Sequence, residues 1–326
     1  MAKTFTDLTR HALNGATMGT RWSALFHMPA DFDVAPAERA MAQAVAEVDA
    51  QMSTWKADSD LMRLNAAPTD VWVALPAALM TVLDAGLAVG RASDGAFDIA
   101  MGDAVSAWGF GPEAAEETRI RAALSATRPA AHDVLELDCA GGRARKHSPV
   151  SLDLCGIAKG YGVDRLAEIA RAFAIPAALL AIDGELRALG AQPDGSPWTI
   201  AIEDPDPLTR KPCAILALED TAVATSGDYR HFVEVGGQRL SHTMDPKRGG
   251  PLAHAPASVT VVADTCMTAD AWATALMVKG RLEGARLARK LGLETLFIDR
   301  DGDRLRRTPV GSLFQPRPTP GVGCAT

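Results

Sequence analysis

The sequence predicts an α+β protein in which mixed sheets pack against helices, without a linker to divide it cleanly. Three observations lead there. The 326-residue chain is 48% apolar, enough for a large buried core, and its length suits one large domain or two intimate ones. Its first part carries long apolar runs at helical spacing. Its second part mixes short β-branched runs, a hairpin signal and further helices. Residues 1–326 are therefore read as a single domain, with a loose proline-rich tail over 314–326.

In chain order, Ala35 to Met52 has helical spacing, with Pro36 suited to a first turn. Leu75 to Ser93 is a second apolar helix, and Ala114 to Ala126 a third with acids where the helix dipole favours them. Ala178 to Ile182 and Trp198 to Ile202 read as short strands. His231 to Val235 and Gln238 to His242 flank Gly236-Gly237 as a hairpin. Ser258 to Ala263 is a β-branched strand. Thr268 to Lys279 and Leu282 to Lys290 read as two helices. Thr295 to Asp299 is a last strand, closed by an Asp301-Gly302 turn, and Pro316 to Pro320 is loose.

The net charge of −7 argues against non-specific nucleic-acid binding, which draws on basic patches. No apolar run reaches the roughly 18 residues of a membrane span. The N-terminus has neither the apolar segment nor the cleavage site of a signal peptide, so a cytoplasmic protein is expected, or a periplasmic one if a leader is removed. Five scattered cysteines without a CxxC pair fit reduced thiols.

Four segments could carry chemistry. In Ser151 to Asp164, apolar alternation gives way to Gly156 and Gly160 bracketing Lys159, and helical spacing follows. A strand entering a helix through a glycine turn offers backbone N–H groups and a lysine to a phosphate. Taken alone, the segment is first a plain strand–turn–helix, since it matches neither the Walker A nor the GxGxxG pattern. Asp270 and Thr274 are four apart and share a helix face. They offer two hard oxygens to Mg²⁺, although, taken alone, an ordinary capped helix turn is the better explanation, because such pairs are common. His242 stands in a dense set of polar turn residues, Ser241 to Gly249, after the Thr225-Ser226-Gly227 turn. It could be a general base, against the commoner structural histidine. Finally, Met18, Trp55 and the Phe97-Asp98 pair could cradle a planar ring, or be ordinary core and loop residues.

In order, these segments resemble the ApbE family, the FAD:protein FMN transferases. The pieces are MGT at Met18, MSTW at Met52 leading to DSDLMRLN, GAFD then WGFG, DLCGIAKGYGVD, DGELRALG, ATSGDYRHF, SHTMDPKRG and ADAWATAL. Together they run from Met18 to about Gly280. No single piece is specific, but the ordered set is. The resemblance implies two intimately associated α+β subdomains clamping FAD, a Mg²⁺ ion, and a flavoprotein whose Ser or Thr hydroxyl accepts FMN while AMP leaves. It places Met18, Trp55, the Ala96-Phe97-Asp98 stretch, Asp153, Lys159 and Met244 against FAD. It places the metal on Asp270, Thr274 and the carbonyl of Gly156, and gives His242 the proton of the acceptor hydroxyl. Two departures stand out: Cys155 and Asp183 occupy positions where relatives often carry glycine. Three alternatives remain open: an FAD pyrophosphatase giving FMN and AMP, a flavin-binding protein without chemistry, and a flavin oxidoreductase.

Overall fold

The structure, a computed structural model, describes residues 8–206, 211–229, 232–235, 238–253, 255–302 and 304–315. The chain opens with a hairpin, β1 (Leu8–Thr17) and β2 (Thr20–Pro29), turned by Met18 and Gly19 alone. Both turn residues take positive φ, 45° and 71°, as a two-residue loop matched to strand twist requires. The sequence reading, which took this region as mostly helical, missed the hairpin.

Helix α1 (Ala35–Met52) has the expected bounds, with proline in its first turn, and buries Met41, Val45 and Val48. After α2 (Asp60–Ala66) and β3 (Val73–Ala74) comes α3 (Ala77–Ala92), the second expected helix. Then follow α4 (Gly102–Ala107), α5 (Glu117–Ser125), α6 (Ala131–Val134), β4 (Leu135–Asp138) and β5 (Arg143–Lys146). Helix α5 is the expected third helix in shorter form. Glu116 caps it, its carboxylate accepting from the Thr118 and Arg119 N–H groups.

Residues 151–154 do not form the expected strand; they run as irregular chain into α7 (Ala158–Ala172). Their polar groups bond to loops instead. Asn65 closes a two-way amide pair with Leu152, and the Asp153 N–H donates to the Ile99 carbonyl. The hairpin β6 (Ala178–Ile182) and β7 (Glu185–Leu189) follows, then β8 (Trp198–Glu203), β9 (Pro212–Leu218), β10 (Ala222–Gly227), β11 (Phe232–Val235) and β12 (Gln238–Ser241). Short pairs β13 (Met244–Asp245) and β14 (Gly250–Pro251) lead to β15 (Ser258–Ala263), α8 (Cys266–Leu291), β16 (Glu294–Asp301) and β17 (Arg304–Val310). Within α8, Gly280 leaves helical geometry (φ 70°, ψ 172°), which is the break the sequence shows between its two helical runs. His231, Gly236-Gly237 and Pro316 to Pro320 lie outside the described residues. Phe314, within the tail expected to be loose, is partly buried against the core.

One eight-stranded antiparallel sheet, ordered β1-β2-β6-β7-β10-β15-β16-β17, organises the molecule. Side chains alternate across it. Leu180, Ile182 and Ala222 face α1 and α7, together with Val163 and Leu166. Val223, Val262 and Ile298 face the other way, under the β8–β9 hairpin and its Trp198 and Leu216. A second large cluster packs α3 and α8 around Phe97, Leu152, Leu154 and Ile157. This brings the first turns of α7 and α8 together beside the sheet. Among the described residues, no helix is long and apolar enough to cross a membrane.

Candidate active site

The crossing of α7 and α8 is close because α7 presents glycine there. A Cβ on Gly160 would stand 2.4 Å from the Cys266 carbonyl oxygen and 2.8 Å from the Asp270 Cβ. The Gly160 N–H donates to Asp270 Oδ2 at 2.9 Å. A free N–H at the start of one helix thus fixes a carboxylate in the first turns of the next. One turn along α8, Thr274 approaches the loop before α7: its Oγ1 would stand 3.1 Å from a Cβ on Gly156. The same hydroxyl lies 3.2 Å from Ser226 Oγ, at the end of β10.

These groups line a cavity of about 540 Å³, within the range of small-molecule sites. Ala96, Phe97, Asp98, Asp153, Gly156, Lys159, His242, Met244, Asp270 and Thr274 all contribute to its wall, although they come from segments far apart in sequence. Met18 and Trp55 do not. Met18 sits in the β1–β2 turn, with its methyl 3.1 Å from where a Gly162 Cβ would be, and packs on both large clusters. Trp55 lies beyond α1 and is 64% exposed. The structure brings ten of the twelve expected residues together and leaves these two outside the wall.

Lys159 lines the cavity, and its ammonium is already paired there. Its Nζ lies 2.8 Å from Glu185 Oε1 and 3.7 Å from Asp183 Oδ2. Burial alone would lower its pKa, but the carboxylates of Glu185, Asp270 and Asp183 outweigh burial and hold it above its ordinary value. These neighbours favour the charged ammonium. Asp270 is pushed up to about 7, first by burial and then by Glu185, against the pull of Lys159 and the Gly160 N–H. Burial also raises Glu185. Among the described residues, the Oε2 of Glu185 is buried without a hydrogen-bond partner. Two acids and one lysine confined together make a site short of positive charge, which suits an incoming cation.

The other carboxylates at the wall are more firmly committed. Asp98, raised chiefly by burial, accepts from the Ala100 N–H at 2.8 Å and from the Ala131 N–H at 3.2 Å, so it ties its own turn to α6. Asp153, also raised by burial, accepts from the Cys155 N–H at 2.8 Å. Its carboxylate in turn pushes the exposed Cys155 thiol well above its ordinary value, so that thiol stays neutral. His242 falls just after β12, where the sequence reading had it end the strand, with its ring edge-on to Phe110 at 6.3 Å between centroids.

The donor set fits a hard cation. Among the described residues, no three His, Cys, Asp or Glu side chains converge as metal ligands. A carboxylate, a hydroxyl and a carbonyl nevertheless suit Mg²⁺, which takes few protein ligands and completes its shell with phosphates and water. Sequence reasoning missed Glu185 as a site residue. Its signal is an acid opening the strand Glu185-Leu-Arg-Ala-Leu189 directly after the Asp183-Gly184 turn.

Known proteins resemble this chain over most of its length. A profile of the ApbE family matches residues 18–297. An FAD:protein FMN transferase of Vibrio cholerae is 35% identical over 306 residues, covering 93% of this chain and 91% of its own length. One of Escherichia coli K12 is 33% identical, covering 90% and 85%. Among solved structures, the flavin transferase ApbE of V. cholerae superposes with a TM-score of 0.83 at 32% identity, covering 94% of this chain and 98% of that one. The apo flavinyl transferase ApbE of Pseudomonas stutzeri gives 0.82 at 35% identity, covering 93% and 95%. The chain belongs to the ApbE family and is a flavin transferase.

Proposed function

We propose that this enzyme moves FMN from FAD to a Thr or Ser hydroxyl of a flavoprotein, in a Mg²⁺-dependent reaction that releases AMP. The observation that carries this reading is the shared cavity wall. Lys159, held above its ordinary pKa by neighbouring carboxylates, lines one cavity together with Gly156, His242, Asp270 and Thr274. Residues 1–326 act as one catalytic unit in this reading, with Phe97, Asp98 and Met244 holding the flavin end.

Lys159 holds the pyrophosphate of FAD and offsets its charge, exchanging part of its contact with Glu185 and Asp183 for phosphate oxygens. A Mg²⁺ ion held by Asp270, Thr274 and the Gly156 carbonyl would neutralise developing charge on the phosphoryl oxygens. His242 takes the proton of the acceptor hydroxyl as its oxygen bonds to the phosphorus of the FMN half. The bond from that phosphorus to the bridging oxygen breaks, and AMP leaves with that oxygen. Positioning and charge neutralisation supply most of the acceleration in such displacements.

The test is incubation with FAD, Mg²⁺ and a candidate flavoprotein, reading acceptor mass and AMP. We expect a covalent FMN adduct on a hydroxyl residue and one AMP per adduct. Free FMN and AMP with unmodified acceptor would make the protein a pyrophosphatase instead. His242→Ala is expected to lose roughly 10²–10⁴-fold in transfer rate while binding FAD as the parent does. Transfer at the parent rate in that variant, across pH 6 to 9, would remove His242 from the chemistry.

A further inference from the structure

The mechanism leaves one buried carboxylate unused, and its contacts converge on the metal candidates. Asp164 lies in α7, one turn after Gly160, and is only 8% exposed. Its Oδ1 accepts from the Cys266 N–H at 2.9 Å, and its Oδ2 from the Met267 N–H at 2.9 Å. These are the first two N–H groups of α8. The third, on Thr268, donates to the Thr265 hydroxyl at 3.2 Å, and the next, on Ala269, makes the first bond of the helix itself, to the Thr265 carbonyl at 3.1 Å. A buried helix start needs such partners. Here two of them come from a single carboxylate on another helix, placed where the α8 dipole favours negative charge.

The same carboxylate pairs with the Arg187 guanidinium on β7. Arg187 is two residues beyond Glu185, the partner of Lys159. So Asp164 joins three elements: α7, which carries Gly160 and Lys159; the start of α8, which carries Asp270 and Thr274; and β7, which carries Glu185. With Gly160 it makes a two-point clamp across the helix crossing. Asp164 holds the α8 backbone, and the Gly160 N–H holds the Asp270 side chain.

We infer that Asp164 is a positioning residue for the metal site: it sets the depth and rotation of α8, and so the placement of Asp270 and Thr274 against Gly156. This rests on the reading of Asp270 and Thr274 as Mg²⁺ ligands. Asp164 itself touches neither metal nor substrate. Residues that hold ligands from behind set metal affinity by on the order of 10–100-fold, whereas a helix cap with no such role contributes only to stability.

The experiment titrates Mg²⁺ against melting temperature at saturating FAD without acceptor, and separately against transfer rate. Parent, Asp164→Asn, Asp164→Glu and Asp270→Ala are compared. Asp164→Asn keeps the shape but supplies one acceptor oxygen for two N–H groups and no charge for Arg187. It should raise half-saturating Mg²⁺ by on the order of tenfold or more in both titrations, with FAD affinity measured without metal close to parent. Asp164→Glu keeps charge and both oxygens but adds a methylene, and should raise it by a smaller factor. A merely structural cap would lower the melting temperature and leave half-saturating Mg²⁺ unchanged. The inference is overturned if folded Asp164→Asn, or folded Asp164→Glu should the Asn variant not fold, stays within twofold of parent. Asp270→Ala separates the two claims. If it keeps the parent Mg²⁺ response, the metal assignment fails; if it loses that response while the Asp164 variants keep it, only the role of Asp164 fails.

Discussion

Asp183 joins a left-handed backbone conformation to a charge at the cavity wall. It takes a φ of 54° at the tip of the β6–β7 hairpin, a conformation that costs an ordinary residue about 1 kcal/mol or more and an aspartate somewhat less. Its carboxylate then stands 3.7 Å from Lys159 Nζ, where it competes with any phosphate for the same ammonium. Asp183→Gly removes both the charge and the strain. A half-exposed pair of this kind amounts to a fraction of a kcal/mol, so the KM for FAD should fall by roughly two- to fivefold, with kcat little changed. Steady-state kinetics at saturating acceptor checks it. A KM that rises instead would mean that Asp183 itself contacts FAD.

At the scale of elements, the crossing of α7 and α8 separates two glycines that look alike in sequence. A Cβ on Gly160 meets a backbone carbonyl, that of Cys266, at 2.4 Å. A Cβ on Gly162 meets the ends of two side chains, Ile182 Cδ1 at 2.7 Å and Met18 Cε at 3.1 Å, which can rotate away. Gly160→Ala should therefore cost about 1–3 kcal/mol by overpacking and weaken the Mg²⁺ response, because Asp270 is displaced with the helix. Gly162→Ala should be nearer neutral, since alanine regains up to about 1 kcal/mol of helix propensity. Denaturant melts of both variants decide it, and equal destabilisation would count against the backbone clash. The same crossing marks where sequence was readable. Helix α1 and strands β6 and β15 match their expected bounds: α1 has apolar residues at helical spacing, β6 is a short apolar run and β15 is rich in β-branched residues. The β1–β2 hairpin was hidden because polar residues and glycine make up half of its two strands, and its turn is Met18-Gly19 without an Asn-Gly or Asp-Gly signal. The order of site residues was legible through resemblance. The partners of Lys159 and Asp164 were not, because Glu185 lies 26 positions beyond Lys159 and Cys266 lies 102 beyond Asp164. Those distances are closed by the hairpin that follows α7 and by the crossing of α7 and α8 beside the sheet.

At the scale of the whole molecule, the fold confines Glu185, Asp270 and Lys159 in one place at the sheet edge of two helices, and the acids outnumber the base. Asp270 carries the consequence. Its ordinary value is 3.8 and its folded value is about 7. Between these, the folded metal-free protein keeps a proton that the unfolded chain has released, so this group makes stability fall as pH rises from about 4 to about 7. Metal coordination requires the carboxylate, so below pH 7 binding must expel that proton. Half-saturating Mg²⁺ should then rise by up to about tenfold for each unit below pH 7 and level off above it. At fixed subsaturating Mg²⁺ and saturating FAD, the rise in melting temperature should be larger at pH 8 than at pH 6. In Asp270→Asn, both that rise and its dependence on pH should disappear, and the metal-free protein should lose the decline in stability between pH 4 and 7 that Asp270 causes. A Mg²⁺ response of equal size at pH 6 and pH 8 in the parent would show that the ion does not bind through Asp270. The test reads the metal ligand and its raised pKa in one titration, because only a carboxylate that is both buried and coordinating couples the two.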